Sequence, residues 1–341
     1  MKLEFKEIHD LQTWNDFVLK NQKYTFVQSY EYTKVITSLV SDVKRIGVYY
    51  DDKLVGLLPI GIVRARRGSY IRLRHSPVLL NVEESKEIFV EAVKYLETIA
   101  AKENLNFIRV QPIISDAGIL ISNGFKPAPT HNLDAQLTLQ LDLKQGEEEI
   151  QKNMRKNTRY YIRKAFKEGV EVIKDNSEFE SFYKILKETA HRQGYTTWPR
   201  GYFENLFKYF NNDQLNLYFA VYKGQKIAIG LFLDFGKYRF YLEGGMNTEF
   251  AKQYPAYAIQ WISIKESLDK HLEIYDFWGG VAEKDVNGKP LENYPWAGIN
   301  LFKAGFGGKE IEIVHPHDKI VSNKYWITWL IESIERWKRG Y

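Results

Sequence analysis

The order of apolar and polar positions sets out the same unit of structure twice. Arg45 to Gly56 (RIGVYYDDKLVG) runs apolar into a polar Asp51-Asp52 pair and apolar again, which predicts a β-hairpin whose second strand continues through Leu57-Leu58-Pro59-Ile60. The pattern returns at Leu217 to Gly230 (LYFAVYKGQKIAIG), with one more residue in the second arm. Each hairpin is followed by an amphipathic helix, Glu87 to Ala101 and Ala258 to Asp269. A short strand comes next, Phe107-Ile108-Arg109-Val110 in one copy and Ile274-Tyr275-Asp276-Phe277 in the other. Both copies close on Gly-Phe, at Gly124-Phe125 and Gly305-Phe306. Elements recurring in one order predict a duplicated α/β fold, each half a mixed sheet flanked by helices.

Between the halves, Glu147 to Lys167 reads EEEIQKNMRKNTRYYIRKAFK. At about 100° per residue Lys152, Arg155, Lys156, Arg159, Arg163 and Lys167 share one arc, and Ile150, Met154, Tyr161 and Ala165 oppose them. This predicts a single basic helix over 150–167, its acidic start suiting the helix dipole and Gly169 suiting its end. Cations stacked along one face repel unless an anion lies alongside, and only Glu168 is near. A nucleic-acid phosphate chain is the preferred partner, a solvated face the alternative.

Composition narrows the setting. The 341 residues are 44% hydrophobic, enough for two cores, and the net charge of +5 is modest. With no Cys, thiolate catalysis and thiolate metal sites are excluded and a reducing compartment fits. Charges at Lys2, Glu4, Lys6 and Glu7 break any secretory pattern, and no apolar run reaches the ~18 residues of a membrane span, so a cytoplasmic protein is expected.

The duplicated fold looks like that of acetyl-CoA-dependent acyltransferases (GNAT type), yet the segment before the second crossover helix, Asn247 to Tyr257 (NTEFAKQYPAY), lacks a glycine-rich pyrophosphate turn. The ordered set Arg163-Lys-Ala-Phe-Lys-Glu-Gly-Val-Glu-Val172, Tyr254-Pro-Ala-Tyr-Ala-Ile-Gln-Trp261, Tyr275-Asp-Phe-Trp-Gly-Gly280 and Asn300-Leu-Phe-Lys-Ala-Gly-Phe-Gly-Gly308 resembles the Fem-type (FemABX) peptidoglycan aminoacyl transferases. It is closest to the short members without a coiled-coil insertion. The resemblance implies two GNAT-like domains: 1–143 completed by 318–341 for the precursor, and 144–317, with the basic helix, for aminoacyl-tRNA. It implies a monomer needing no cofactor and no metal, acting on a UDP-linked or lipid-linked muropeptide. The amine of the stem peptide would attack the aminoacyl ester directly.

Such a transfer needs orientation, a donor at the developing oxyanion and a route for a proton. The resemblance assigns Lys303 to the tetrahedral intermediate, Lys34 to the precursor diphosphate, and Tyr202, Tyr241 and Phe302, beside Lys303 in the motif, to the substrate site. Trp198 stands where the nucleotide-using relative has an arginine, leaving Arg200 as the nearest substitute. Gln111 stands where that relative has an aspartate, and an amide is no base at neutral pH. The proton is therefore expected to leave through substrate groups, and Asp276 is read as capping or orienting a loop. An acyl-CoA N-acyltransferase and a non-catalytic RNA-binding protein are the rival readings.

Three further features lie outside that reading. His315 and His317 lack the neighbours of a metal site. Arg64, Arg66, Arg67, Arg72 and Arg74 form a second basic cluster on a hairpin, read equally as phosphate-facing or solvated. In the C-terminal stretch, Trp326, Leu330, Ile334 and Trp337 share a helical face that is expected to dock on its own domain; peripheral contact with an anionic membrane is the alternative.

Overall fold

A computed structural model describes residues 2–80, 85–130, 136–279 and 297–339. In chain order the first elements are β1 (Leu3–Glu7), α1 (Leu11–Leu19), α2 (Tyr30–Val35), β2 (Asp42–Tyr50), β3 (Lys53–Ala65), β4 (Gly68–Arg74), β5 (Val78–Leu79), α3 (Ser85–Lys102), β6 (Phe107–Gln111), α4 (Gly118–Ser122) and β7 (Lys126–Pro127). There follow β8 (Leu137–Asp142), α5 (Gly146–Asn153), α6 (Lys156–Lys167), β9 (Glu171–Lys174), α7 (Phe179–Gln193), α8 (Arg200–Tyr209), β10 (Leu215–Tyr222), β11 (Gln225–Phe235), β12 (Tyr238–Met246), α9 (Pro255–Asp269) and β13 (Ile274–Asp276). The chain continues with α10 (Ala297–Ala304), β14 (Lys309–Glu312), β15 (His317–Ile320) and α11 (Tyr325–Arg339).

Both expected hairpins form, and their two-residue turns are alike. Asp51 and Asp52 have φ of 45° and 59°, Lys223 and Gly224 of 49° and 77°, the paired left-handed geometry that matches strand twist. Along their main paths the sheets repeat one another, β1-β2-β3-β4-β6-β15-β7 in one unit and β9-β10-β11-β12-β13-β8-β14 in the other, and the first adds β5 beside β3. Each has an antiparallel run ending in a parallel pair, β4 with β6 and β12 with β13. The parallel strands are joined over a crossover helix, α3 or α9. The spacing of α3 buries Ile88, Ala92, Leu96 and Ile99 on its sheet, and α9 buries Ile259, Trp261 and Ile264 on the other.

The two compact units are 1–136 with 312–341, and 137–311, which moves both boundaries expected from sequence. Beyond each parallel pair the sheet accepts an antiparallel strand from a distant part of the chain. β8 pairs with β13 in the second unit, although the sequence reading left it in the first, and β15 pairs with β6 in the first. In the first unit Arg109 on β6 makes a buried two-pronged bond to Asp318 on β15, at 2.7 and 2.8 Å, and reaches Glu332 on α11 at 2.7 Å. The C-terminal helix thus completes the first unit through an ion network.

A caged lysine and a cationic helix face

Where β12 and β13 run parallel they pair only through Tyr238–Phe240 and Ile274–Asp276, after which β12 leaves β13 and continues to Met246 paired with β11. The chain leaving β13 curls at Trp278 and Gly279, with φ of 50° and 78°. Asp276 fixes that curl: it accepts from the Trp278 N–H at 2.7 Å, Thr138 at 2.6 Å and Gln140 at 2.8 Å, while Thr138 Oγ1 accepts from the Gly279 N–H at 3.0 Å. Asp276 therefore orients a loop. The loop presents carbonyls to α10, and Lys303 Nζ donates to Phe277 O at 2.6 Å and Gly279 O at 2.8 Å. Its ammonium also lies 5.3 Å from the centre of the Tyr241 ring.

Burial pushes the Lys303 ammonium down to about 8, against the opposing pull of Asp276 and Glu243. Glu243 is the neighbour that sequence reading missed. On β12 a bulge at Leu242 separates Glu243, opposite Leu231, from Tyr241, opposite Phe232. Desolvation raises the Glu243 carboxyl to about 7, with Lys303 opposing the rise. The Gly244-Gly245 pair was the available signal: a Cβ at Gly244 would lie 1.7 Å from the Tyr241 hydroxyl, so only glycine lets that ring lie there. One turn before Lys303, Asn300 is buried with both side-chain polar atoms lacking a hydrogen bond among the described residues. The group is an ammonium and a carboxyl that both titrate near neutrality, an arrangement suited to steadying charge on an oxygen.

The basic segment is two helices, not one. Met154 and Arg155 are extended, with ψ of 147° and 145°, because Met154 is buried and the Arg155 N–H donates to Gly305 O at 2.9 Å. Arg159 closes the break, donating from Nη1 to the carbonyls of Gln151, Lys152 and Met154 at 3.0, 2.9 and 2.9 Å. It is thus a structural cap as well as a surface cation. Lys152 pairs with Glu149 at 3.2 Å. Lys156, Arg163 and Lys167 are exposed on α6 with no ion pair among the described residues. Arg155 is exposed and near the Leu301 carbonyl, at 3.5 Å.

The sequence model of the FemAB family matches residues 122–223 and 221–333, most of the chain. The chain belongs to the FemAB family. This FemAB-family chain is 31% identical to a UDP-N-acetylmuramoylpentapeptide-lysine N(6)-alanyltransferase of Weissella viridescens over 132 residues, 38% of its own length and 39% of that relative's. A crystal structure of FemX superposes with a TM-score of 0.81 at 17% identity, covering 96% of this chain and 100% of that one. The L-PGS structure from Bacillus licheniformis gives 0.59 at 11%, covering 96% and 98%. A tandem GNAT protein from the clavulanic acid pathway gives 0.57 at 10%, covering 94% and 99%. These likenesses establish the two-domain GNAT-like fold.

The other residues singled out in this FemAB-family chain lie as follows. In the second unit, Phe302 packs edge-on to Tyr257 and Phe306, at 4.8 and 5.4 Å, so it belongs to the core under α10. Tyr202 on α8 is buried between Trp198 and Phe203. Arg200 bonds Glu180 at 3.0 Å and Glu204 at 2.7 Å and lies over Phe179 and Tyr183, so an anion there would compete with two carboxylates. Lys34 is in the first unit, on α2, 5.1 Å from the Tyr30 ring. Tyr32, Thr33, Arg72 and Arg74 line a cavity beside the same helix. Gln111 is buried and reaches Val314 O at 3.4 Å. The His315 ring bonds Ala128 O and Gln136, and burial lowers its pKa to about 4; His317 bonds the His315 carbonyl. Gly280 of the third motif lies outside the described residues. No helix among the described residues is long and apolar enough to cross a membrane.

Proposed function

We propose that this protein transfers an aminoacyl group from tRNA to the stem-peptide amine of a peptidoglycan precursor. The caged Lys303 ammonium is the observation that carries the reading. Fixed by two carbonyls and desolvated, it offers a preorganised positive charge where a tetrahedral oxyanion develops, with no reorganisation during the step. The stem amine attacks the ester carbonyl, a C–N bond forms, the C–O bond to the tRNA 3′ oxygen breaks, and the amine's proton goes to that leaving oxygen. Asp276 and Glu243 hold the charge of Lys303 up. The exposed cations of α5 and α6 take the phosphates of the tRNA end, giving affinity without sequence reading. Lys34 takes the diphosphate of the muropeptide, and Tyr202, Tyr241 and Arg200 border the acceptor. The relative from Weissella, named as an alanyltransferase on a UDP-muropeptide lysine, supports this substrate class.

An acyl-CoA donor is disfavoured by the start of α9. Its first residue, Pro255, has no N–H to offer a pyrophosphate, and Tyr161 stacks on Tyr254 at 4.3 Å beside it. The test is purified protein with charged tRNA and either a nucleotide-linked or a lipid-linked muropeptide, read by product mass. Gain of an acyl group only from acyl-CoA would replace the reading; binding of tRNA without any gain would make the chain an RNA-binding protein.

A further inference from the structure

The C-terminal helix α11 is turned inside out. It seats itself on the first unit through Tyr325, Thr328, Glu332 and Glu335: Tyr325 and Thr328 are buried, Thr328 donates to Arg67 O, and the two acids pair with Arg109 and Arg67. Its apolar face points outward instead, with Trp326, Ile327, Leu330, Ile334 and Trp337 exposed at 47, 62, 55, 43 and 80%. A surface helix of a water-soluble domain ordinarily buries that face, and contiguous exposed apolar patches mark a contact surface. The docked reading of this face is therefore corrected. The helix docks, but by its polar side, because its acids find buried or turn arginines that no apolar residue could satisfy.

Charge decides what covers the patch. Both acids of the helix are taken up in ion pairs, while Lys324 precedes it, Lys338 stands in its last turn and Arg66 on the adjoining turn, all exposed and without an ion pair among the described residues. Trp rings beside lysines suit the boundary between lipid headgroups and acyl chains, where an apolar body and a polar edge are both accommodated. Fifteen residues span about 22 Å, too short for a bilayer core, so the helix lies on the surface and does not cross it. We propose that the outward face of α11 seats the protein on an anionic lipid bilayer. This goes beyond the transfer reading and is measured without tRNA or acceptor, so the two fail separately.

The test is sedimentation of the full chain with vesicles of phosphatidylglycerol and phosphatidylcholine, against phosphatidylcholine alone. The protein should sediment with the anionic vesicles, with a blue shift of Trp emission, and release as salt rises. Leu330→Glu with Trp337→Glu should weaken binding by about tenfold or more. Lys324→Glu with Lys338→Glu should weaken it on anionic vesicles alone, and both variants should keep the parent's melting profile. Failure to sediment with anionic vesicles overturns the proposal, as does binding that both variants retain. A concentration-dependent dimer that Leu330→Glu with Trp337→Glu abolishes would also overturn it, giving the face to a second copy.

Discussion

Replacing Lys303 by Met keeps the length and volume of the side chain and removes only its charge and donors. In the folded protein the ammonium is held at about 8 rather than its ordinary 10.5, a cost of about 3 kcal/mol against the charged form. Lys303→Met relieves that cost but strips the carbonyls of Phe277 and Gly279 of a donor, at about 1–3 kcal/mol each. The two effects are of similar size and opposite sign, so the variant should fold and melt close to the parent near neutral pH. Its activity should not survive in proportion. Loss of a preorganised oxyanion donor costs about 10²–10³ in kcat, with KM nearly unchanged. Single-turnover transfer from charged tRNA to a muropeptide, followed beside thermal melts, measures both. The sign of the pH effect gives a second check. Because the folded pKa is depressed, the folded lysine sheds its proton first between about 8 and 10.5, so the parent gains stability relative to the variant as pH rises through that window. A kcat within about threefold of the parent, with melting unchanged, would refute the reasoning and leave Lys303 a loop anchor.

The remaining expectations concern its neighbours and the scaffold. Glu243→Gln removes one of the two charges, with Asp276, that hold Lys303 up, so the alkaline limb of the transfer pH profile should move below about 8 with transfer retained; loss of transfer with binding intact would make Glu243 the base. Lys156→Ala, Arg163→Ala and Lys167→Ala together should weaken tRNA binding and flatten its log-salt slope by roughly two to three, with melting unchanged. Arg159→Ala should in addition lower stability by about 1–3 kcal/mol, because three carbonyls of the α5 end lose their donor. Asp318→Asn should destabilise the first unit by about 3–5 kcal/mol in chemical denaturation, since it leaves the Arg109 charge buried and half-paired.

What the sequence disclosed follows the range of the interactions involved. The hairpins, the crossover helices and the exposed face of α6 are written in local spacing, and the duplication follows from their repetition. The break at Met154-Arg155 depends on the Gly305 carbonyl, about 150 residues away, and no local pattern records it. β8 and β15 are short strands whose sheet is chosen by distant partners, so the domain boundaries fell a few residues late. Lys303 was legible only through its motif. Glu243 reads as one more polar strand residue until the bulge at Leu242 and the bare Gly244 bring it to the lysine. The apolar stripe of α11 was plain, but its direction was set by Arg109 and Arg67, which neither periodicity nor composition links to the helix.

The most direct measurement of the central claim is the mass of the muropeptide after incubation with purified protein and charged tRNA. The account expects a gain of one aminoacyl residue on the stem-peptide amine that requires intact charged tRNA and falls with Lys303→Met. No gain with either a nucleotide-linked or a lipid-linked acceptor, or a gain that proceeds from acyl-CoA without tRNA, would contradict it.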